Sequence, residues 1–145
     1  MPESSSPSSG FRLRTGQVTV LLGPDAARRG LLAGLDPGGT RGVLTVTSAR
    51  GRTATERIDA LTCAAAHRPA MVLVNRLTDG LDAADRRTVL AALRVLAAAG
   101  PAVLVDDADP VAALAVADGA LRAGADGSVQ VDALGAAAGV ERRAG

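Results

Sequence analysis

Residues 67–82 read HRPAMVLVNRLTDGLD, and the reading of this stretch decides the fold. Met71, Val72, Leu73 and Val74 form a continuous apolar run without alternation, the pattern of a strand covered on both faces in a parallel sheet. Polar residues follow at its carboxyl edge. Ligands of open parallel sheets sit beyond the carboxyl ends of the strands, so Asn75, Arg76 and Thr78 occupy the place where chemistry would be put. On these residues alone, a strand, a turn and a helix cap explain the stretch equally well.

The flanks extend the same alternation. Downstream, Asp82 suits an N-cap, and Val89, Leu90, Leu93, Leu96 and Ala97 make a helical apolar stripe that stops at Gly100 and Pro101. Upstream, residues 55–66 place Ile58, Leu61, Thr62 and Ala65 on one helix face, with His67 as a carboxyl-end cap and not a ligand. Further strands are expected at 17–22, 43–47 and 102–105, and a closing hairpin pairs 120–123 with 128–131. Residues 36–42, DPGGTRG, read as a loop. Asp106, Asp107 and Asp109, at a strand end before a helix, read as caps and solvated charges, and no metal site is expected.

Composition narrows the classes. Of 145 residues 48% are apolar, yet Phe11 is the sole aromatic, so the core is built from Ala, Val and Leu. Net charge is +1, with acids and bases interspersed and no aromatics beside a basic run, which argues against nucleic acid as a partner. All 16 basic residues are Arg, which excludes lysine-dependent chemistry. No apolar run approaches the ~20 residues of a membrane span, so direct membrane insertion is not expected. Cys63 is alone in an Ala-rich segment and reads as an inert buried thiol in a cytoplasmic protein.

The organising stretch resembles the Walker B segment of ABC-transporter ATP-binding domains, four apolar residues followed by D-E-P-T-S-G-L-D. The frame matches without a gap: Gly80, Leu81 and Asp82 persist, while the two acidic positions read Asn75 and Arg76. In that family the first carboxylate holds the magnesium shell and the second polarises the attacking water, roles that need negative charge. A second likeness covers residues 17–35. The family reads L-L-G-P-N-G-A-G-K-S-T-L-L and then L-A-G-L, a strand, a phosphate-cradling glycine loop and a helix. Gly23, Pro24 and Leu32 to Leu35 match, but the loop is shorter, its glycines are replaced by Ala26 and Arg28, its lysine by Arg29, and Gly30 stands where a magnesium-binding hydroxyl belongs. The signature L-S-G-G-Q would fall on residues 51–55, GRTAT, and the histidine of V-T-H-D on Ala108; neither is present.

The resemblance therefore implies a three-layer α/β domain over residues 12–135 with a mainly parallel sheet, a P-loop NTPase-like core lacking the ABC helical subdomain. A disordered Ser/Pro-rich tail is expected at 1–11 and a carboxyl-terminal tail at 136–145. No catalytic residue is expected, and no cofactor, with ATP and magnesium binding weakly if at all. The degenerate nucleotide- or anion-binding positions are Gly23, Arg28, Arg29, Gly30 and Asn75, the two arginines being suited to phosphate oxygens. In the family the G-L-D turn crosses the interface between two nucleotide-binding domains, so Asp79, Gly80, Leu81 and Asp82 are the expected interface. The leading expectation is an inactive ABC-ATPase-like protein that binds an ATPase subunit, a transporter-associated protein or a second copy of itself, in the cytoplasm and peripheral to a membrane complex. The alternatives are a nucleotide-binding or weakly active transport ATPase subunit and an anion-binding regulatory module.

Overall fold

The computed structural model describes residues 13–35, 42–47 and 51–133. The tails expected at 1–11 and 136–145, and the loop at 36–42 apart from Gly42, lie outside these residues. In chain order the elements are β1 (Val18–Leu22), α1 (Asp25–Leu35), β2 (Val43–Thr47), α2 (Ala54–Ala66), β3 (Met71–Asn75), α3 (Ala83–Ala98), β4 (Ala102–Asp106), α4 (Pro110–Leu114), β5 (Gly119–Ala123) and β6 (Val129–Ala133). The strands form one sheet in the order β2-β3-β4-β1-β5-β6, parallel throughout except for the final β5–β6 hairpin. One helix, α2, stands between β2 and β3, so there is no helical subdomain at that point of the chain.

Strand periodicity sorts the core onto two faces. Val18, Val20, Val72, Val74, Val103 and Val105 point to the side covered by α2, α3 and α4. Leu21, Leu73, Leu104 and Leu121 point to the other, where Ala27, Leu31, Leu32 and Leu35 of α1 pack. The whole α3 stripe read from the sequence is buried, and each such side chain contributes roughly 1.5–3 kcal/mol relative to exposure. Asp82 caps α3 by accepting from the Asp85 amide at 2.8 Å. Asp118 ties β5 to β1, its carboxylate accepting from the Val18 amide at 2.9 Å.

Two expectations about α2 are corrected. Its buried face carries Arg57, Leu61 and Ala64, while Thr62 is exposed and Ile58 and Ala65 are partly buried. The face is turned toward Arg57 because that guanidinium reaches carbonyl groups across the core boundary. Cys63 is exposed, since the same rotation puts it on the solvent side. The helix starts with a capping box that the sequence already contained: Thr53 Oγ1 accepts from the Glu56 amide at 3.1 Å, and the Thr53 amide donates to Glu56 Oε1 at 2.8 Å. His67 ends α2, its Nδ1 lying 2.9 Å from the Cys63 carbonyl oxygen.

Candidate functional site

The chain leaves β1 over one face through α1 toward the far edge at β2, then returns over the opposite face through α2 and α3. From β4 it crosses by α4 to β5, on the far side of β1. The neighbours β1 and β4 thus send their connections to opposite faces, and a crevice opens between their carboxyl ends, the usual ligand position of an open α/β sheet.

That crevice holds a guanidinium. Arg28 lies in the first turns of α1, donates through Nε to the Gly23 carbonyl at 3.0 Å and through Nη2 to Asp25 Oδ1 at 2.9 Å, and makes an ion pair through Nη1 with Asp106 at the end of β4. Gly23 has φ +124, and a β-carbon there would stand 2.1 Å from the Ala123 carbonyl oxygen, so only glycine lets the chain leave β1 against β5. The helix begins at Asp25, and the Arg28 amide is already spent on the Pro24 carbonyl at 3.0 Å. Arg29 is exposed and pairs with Asp25 at 2.9 Å, while Gly30 sits further along the helix with open space beside it. Asn75, ending β3, is the register partner of Asp106. Of the five degenerate positions the structure thus brings Gly23, Arg28 and Asn75 around Asp106 and leaves Arg29 and Gly30 outside. These residues do not fit a triphosphate with magnesium: only Gly23 and Pro24 separate β1 from α1, and Pro24 has no amide to offer; the Arg28 guanidinium is committed to Asp106 in the crevice, and Gly30 offers no hydroxyl.

The turn after β3 is wired differently. Arg76 adopts φ 58, its amide donating to the Asp106 carbonyl at 2.7 Å and its Nε to Asp79 Oδ2 at 3.1 Å. Thr78 is fully buried, donating to Asp107 Oδ1 at 2.6 Å and accepting from Arg86 Nε at 3.2 Å. Arg57, 4% exposed, holds the turn from below through the carbonyls of Leu77 at 2.9 Å and Asp79 at 2.6 Å, with Nε on the Arg52 carbonyl at 3.0 Å. Asp79 Oδ1 is enclosed with no hydrogen-bond partner among the described residues. Asp107 Oδ2 accepts from the Asp109 amide at 2.9 Å, and Asp109 caps α4 through the Ala112 amide at 3.1 Å. The three carboxylates 106, 107 and 109 are therefore an ion-pair partner, a buried acceptor and a cap. No group of three His, Cys, Asp or Glu side chains suited to a metal occurs among the described residues.

Arg57 and the pairing of Arg28 with Asp106 escaped the sequence reading. The first had a signal, a basic residue in register with Leu61 and Ala64; the second had none. Burial pushes the Asp106 carboxyl above its ordinary value, with Arg28 and then Arg76 pulling it down and Asp25 adding to the rise. Arg76 is held above its ordinary value chiefly by its hydrogen bond to Asp79.

No family model matches the chain, and no curated protein sequence matches it. Solved structures do. An ATP-binding subunit of an ABC transporter superposes with a TM-score of 0.60 at 12% identity, covering 92% of this chain and 84% of that one. A putative metal-chelate type ABC transporter in an inward-facing conformation gives 0.61 at 16% identity, covering 85% and 74%. A nucleotide-free ATP-binding cassette from an ABC transporter gives 0.60 at 10% identity, covering 84% and 83%. The chain has the ABC-ATPase fold. At these identities the likeness is one of fold alone. No helix among the described residues is long and apolar enough to cross a membrane.

Proposed function

We propose that this ABC-ATPase-like domain hydrolyses no ATP and acts by binding a protein partner, another ATPase subunit or a transporter-associated protein, in the cytoplasm beside a membrane complex. The observation that carries this reading is the filled crevice: the guanidinium of Arg28 lies against Asp106, and Asn75 and Arg76 stand at the strand end where hydrolysis needs carboxylates. The partner surface is the turn after β3. Gly80 and Asp82 are exposed there, the Asp79 side chain retains 44% of its exposure, and Leu81 is only half-buried, on a scaffold fixed from beneath by Arg57.

The test has two readouts on the full chain. Phosphate release with ATP and magnesium should equal the protein-free background; turnover would instead make the chain an active transport ATPase subunit. Asp79→Arg should leave the thermal melt close to wild type and abolish co-purification with an ATPase subunit or self-association by ultracentrifugation. Normal association by a folded Asp79→Arg protein overturns this surface.

A further inference from the structure

We propose that Arg28 is a tethered counter-ion: from α1 it supplies the positive charge that the buried carboxylate of Asp106 needs, and without it the stranded carboxylate drives α1 off the sheet. Asp106 is 2% exposed, and an ionised carboxylate at that depth requires a partner. Three charged groups bear on it: Arg28, Arg76 and Asp25. Arg76 donates its backbone amide to the Asp106 carbonyl and its Nε to Asp79, so it faces the carboxylate without bonding it. Asp25 is itself bound to Arg28 and repels Asp106. All three guanidinium nitrogens of Arg28 are used, on Gly23, Asp25 and Asp106, and its side chain is 16% exposed.

The helix that delivers this charge has little else to hold it. It buries no residue completely, and, as the one helix on the leucine face among the described residues, it touches the core through partly buried Ala27, Leu31, Leu32 and Leu35. Gly30 and Gly34 add no side chain, and a groove of about 540 Å³ separates this part of α1 from the β5–β6 turn. The Arg28–Asp106 contact, in contrast, joins the first turns of α1 to the innermost strands. Loss of Arg28 alone therefore leaves a buried charge unpartnered beneath a helix that its apolar contacts hold only in part.

Buried pairs have an asymmetry that makes the assignment testable: removing one partner strands the other charge, and removing both does not. Four full-length proteins are compared by amide hydrogen exchange over residues 25–35, with residues 83–98 as internal reference: wild type, Arg28→Ala, Asp106→Asn and the double variant. Arg28→Ala should exchange at least tenfold faster in α1, with α3 unchanged. Asp106→Asn should have the smaller effect, because Arg28 keeps Asp25 and the Gly23 carbonyl. Adding Asp106→Asn to Arg28→Ala should recover most of the lost protection. A double variant no better protected than Arg28→Ala overturns the counter-ion role. If Arg28→Ala does not fold, folding of the double variant becomes the readout: its recovery supports the pairing, and its failure overturns it. Partner capture plays no part here, so this assignment and the surface at Asp79 stand or fall separately.

Discussion

The loop after β1 and the turn after β3 lie at the same end of the sheet, yet they solve the problem of leaving a buried strand in opposite ways. The first is short. Gly23 and Pro24 suffice before α1 begins, and one long side chain, Arg28, reaches back to fill the crevice. The second spans residues 76–82 and is built from many small commitments: a positive φ at Arg76 and Gly80, buried Thr78 on Asp107, and Arg57 gripping two carbonyls from α2. The first loop depends on one charge and one missing β-carbon, so it should fail as a unit. The second is distributed and should degrade in steps, which also makes it the better platform for a partner.

The comparison is broken most severely at Gly23. Gly23→Ala combines an unfavourable φ with a clash against the Ala123 carbonyl, and a loss on the order of 3 kcal/mol is expected in denaturant melts. A near-neutral result would mean that the β1 exit is not pinned to β5. Next comes Arg57→Met, which keeps the side chain's bulk but strands the carbonyls of Leu77 and Asp79; the expected loss is about 2–3 kcal/mol, with faster exchange in the turn than in β5. Equal loosening of both regions would contradict a turn held locally from α2. Asp82→Ala removes only the α3 cap and should cost about 1 kcal/mol without altering the turn.

The smallest effect is a difference in pH dependence. Asp106 has a raised carboxyl pKa, so the folded state holds its proton more tightly than the unfolded chain does. Its contribution therefore favours folding in acid and is lost as pH rises through the raised value. Glu56 works the other way, being held below its ordinary value chiefly by the Thr53 amide, so its contribution is present at neutral pH and disappears as pH falls through the lowered value. Melts of wild type and Asp106→Asn should diverge as pH falls through the raised carboxyl value, wild type gaining on acidification relative to the variant. Parallel curves would show that the crevice does not strain the carboxylate.

What the sequence determined was everything that a few consecutive residues can bury or cap. The run at Met71 to Val74 had to be an interior strand, the stripe from Val89 to Ala97 had to face a core, and Asp82 and Asp109 had to cap helices, because each pattern is satisfied within one or two turns of its own chain. The Gly23-Pro24 exit, the Leu32 to Leu35 run and the G-L-D turn were legible for the same reason, and with them the fold. The tertiary structure alone decided which charges meet. Arg28 and Asp106 are 78 residues apart and become neighbours only because the parallel strands β1 and β4 lie side by side and send their connections to opposite faces of the sheet. Arg57 gave no reading of its own and Cys63 read as a core thiol, whereas α2 is turned to bring the Arg57 guanidinium onto the carbonyls of a distant turn and to leave Cys63 exposed. Hydrophobic periodicity fixes what is buried, whereas the partner of a buried charge is set by the order in which strands are laid down.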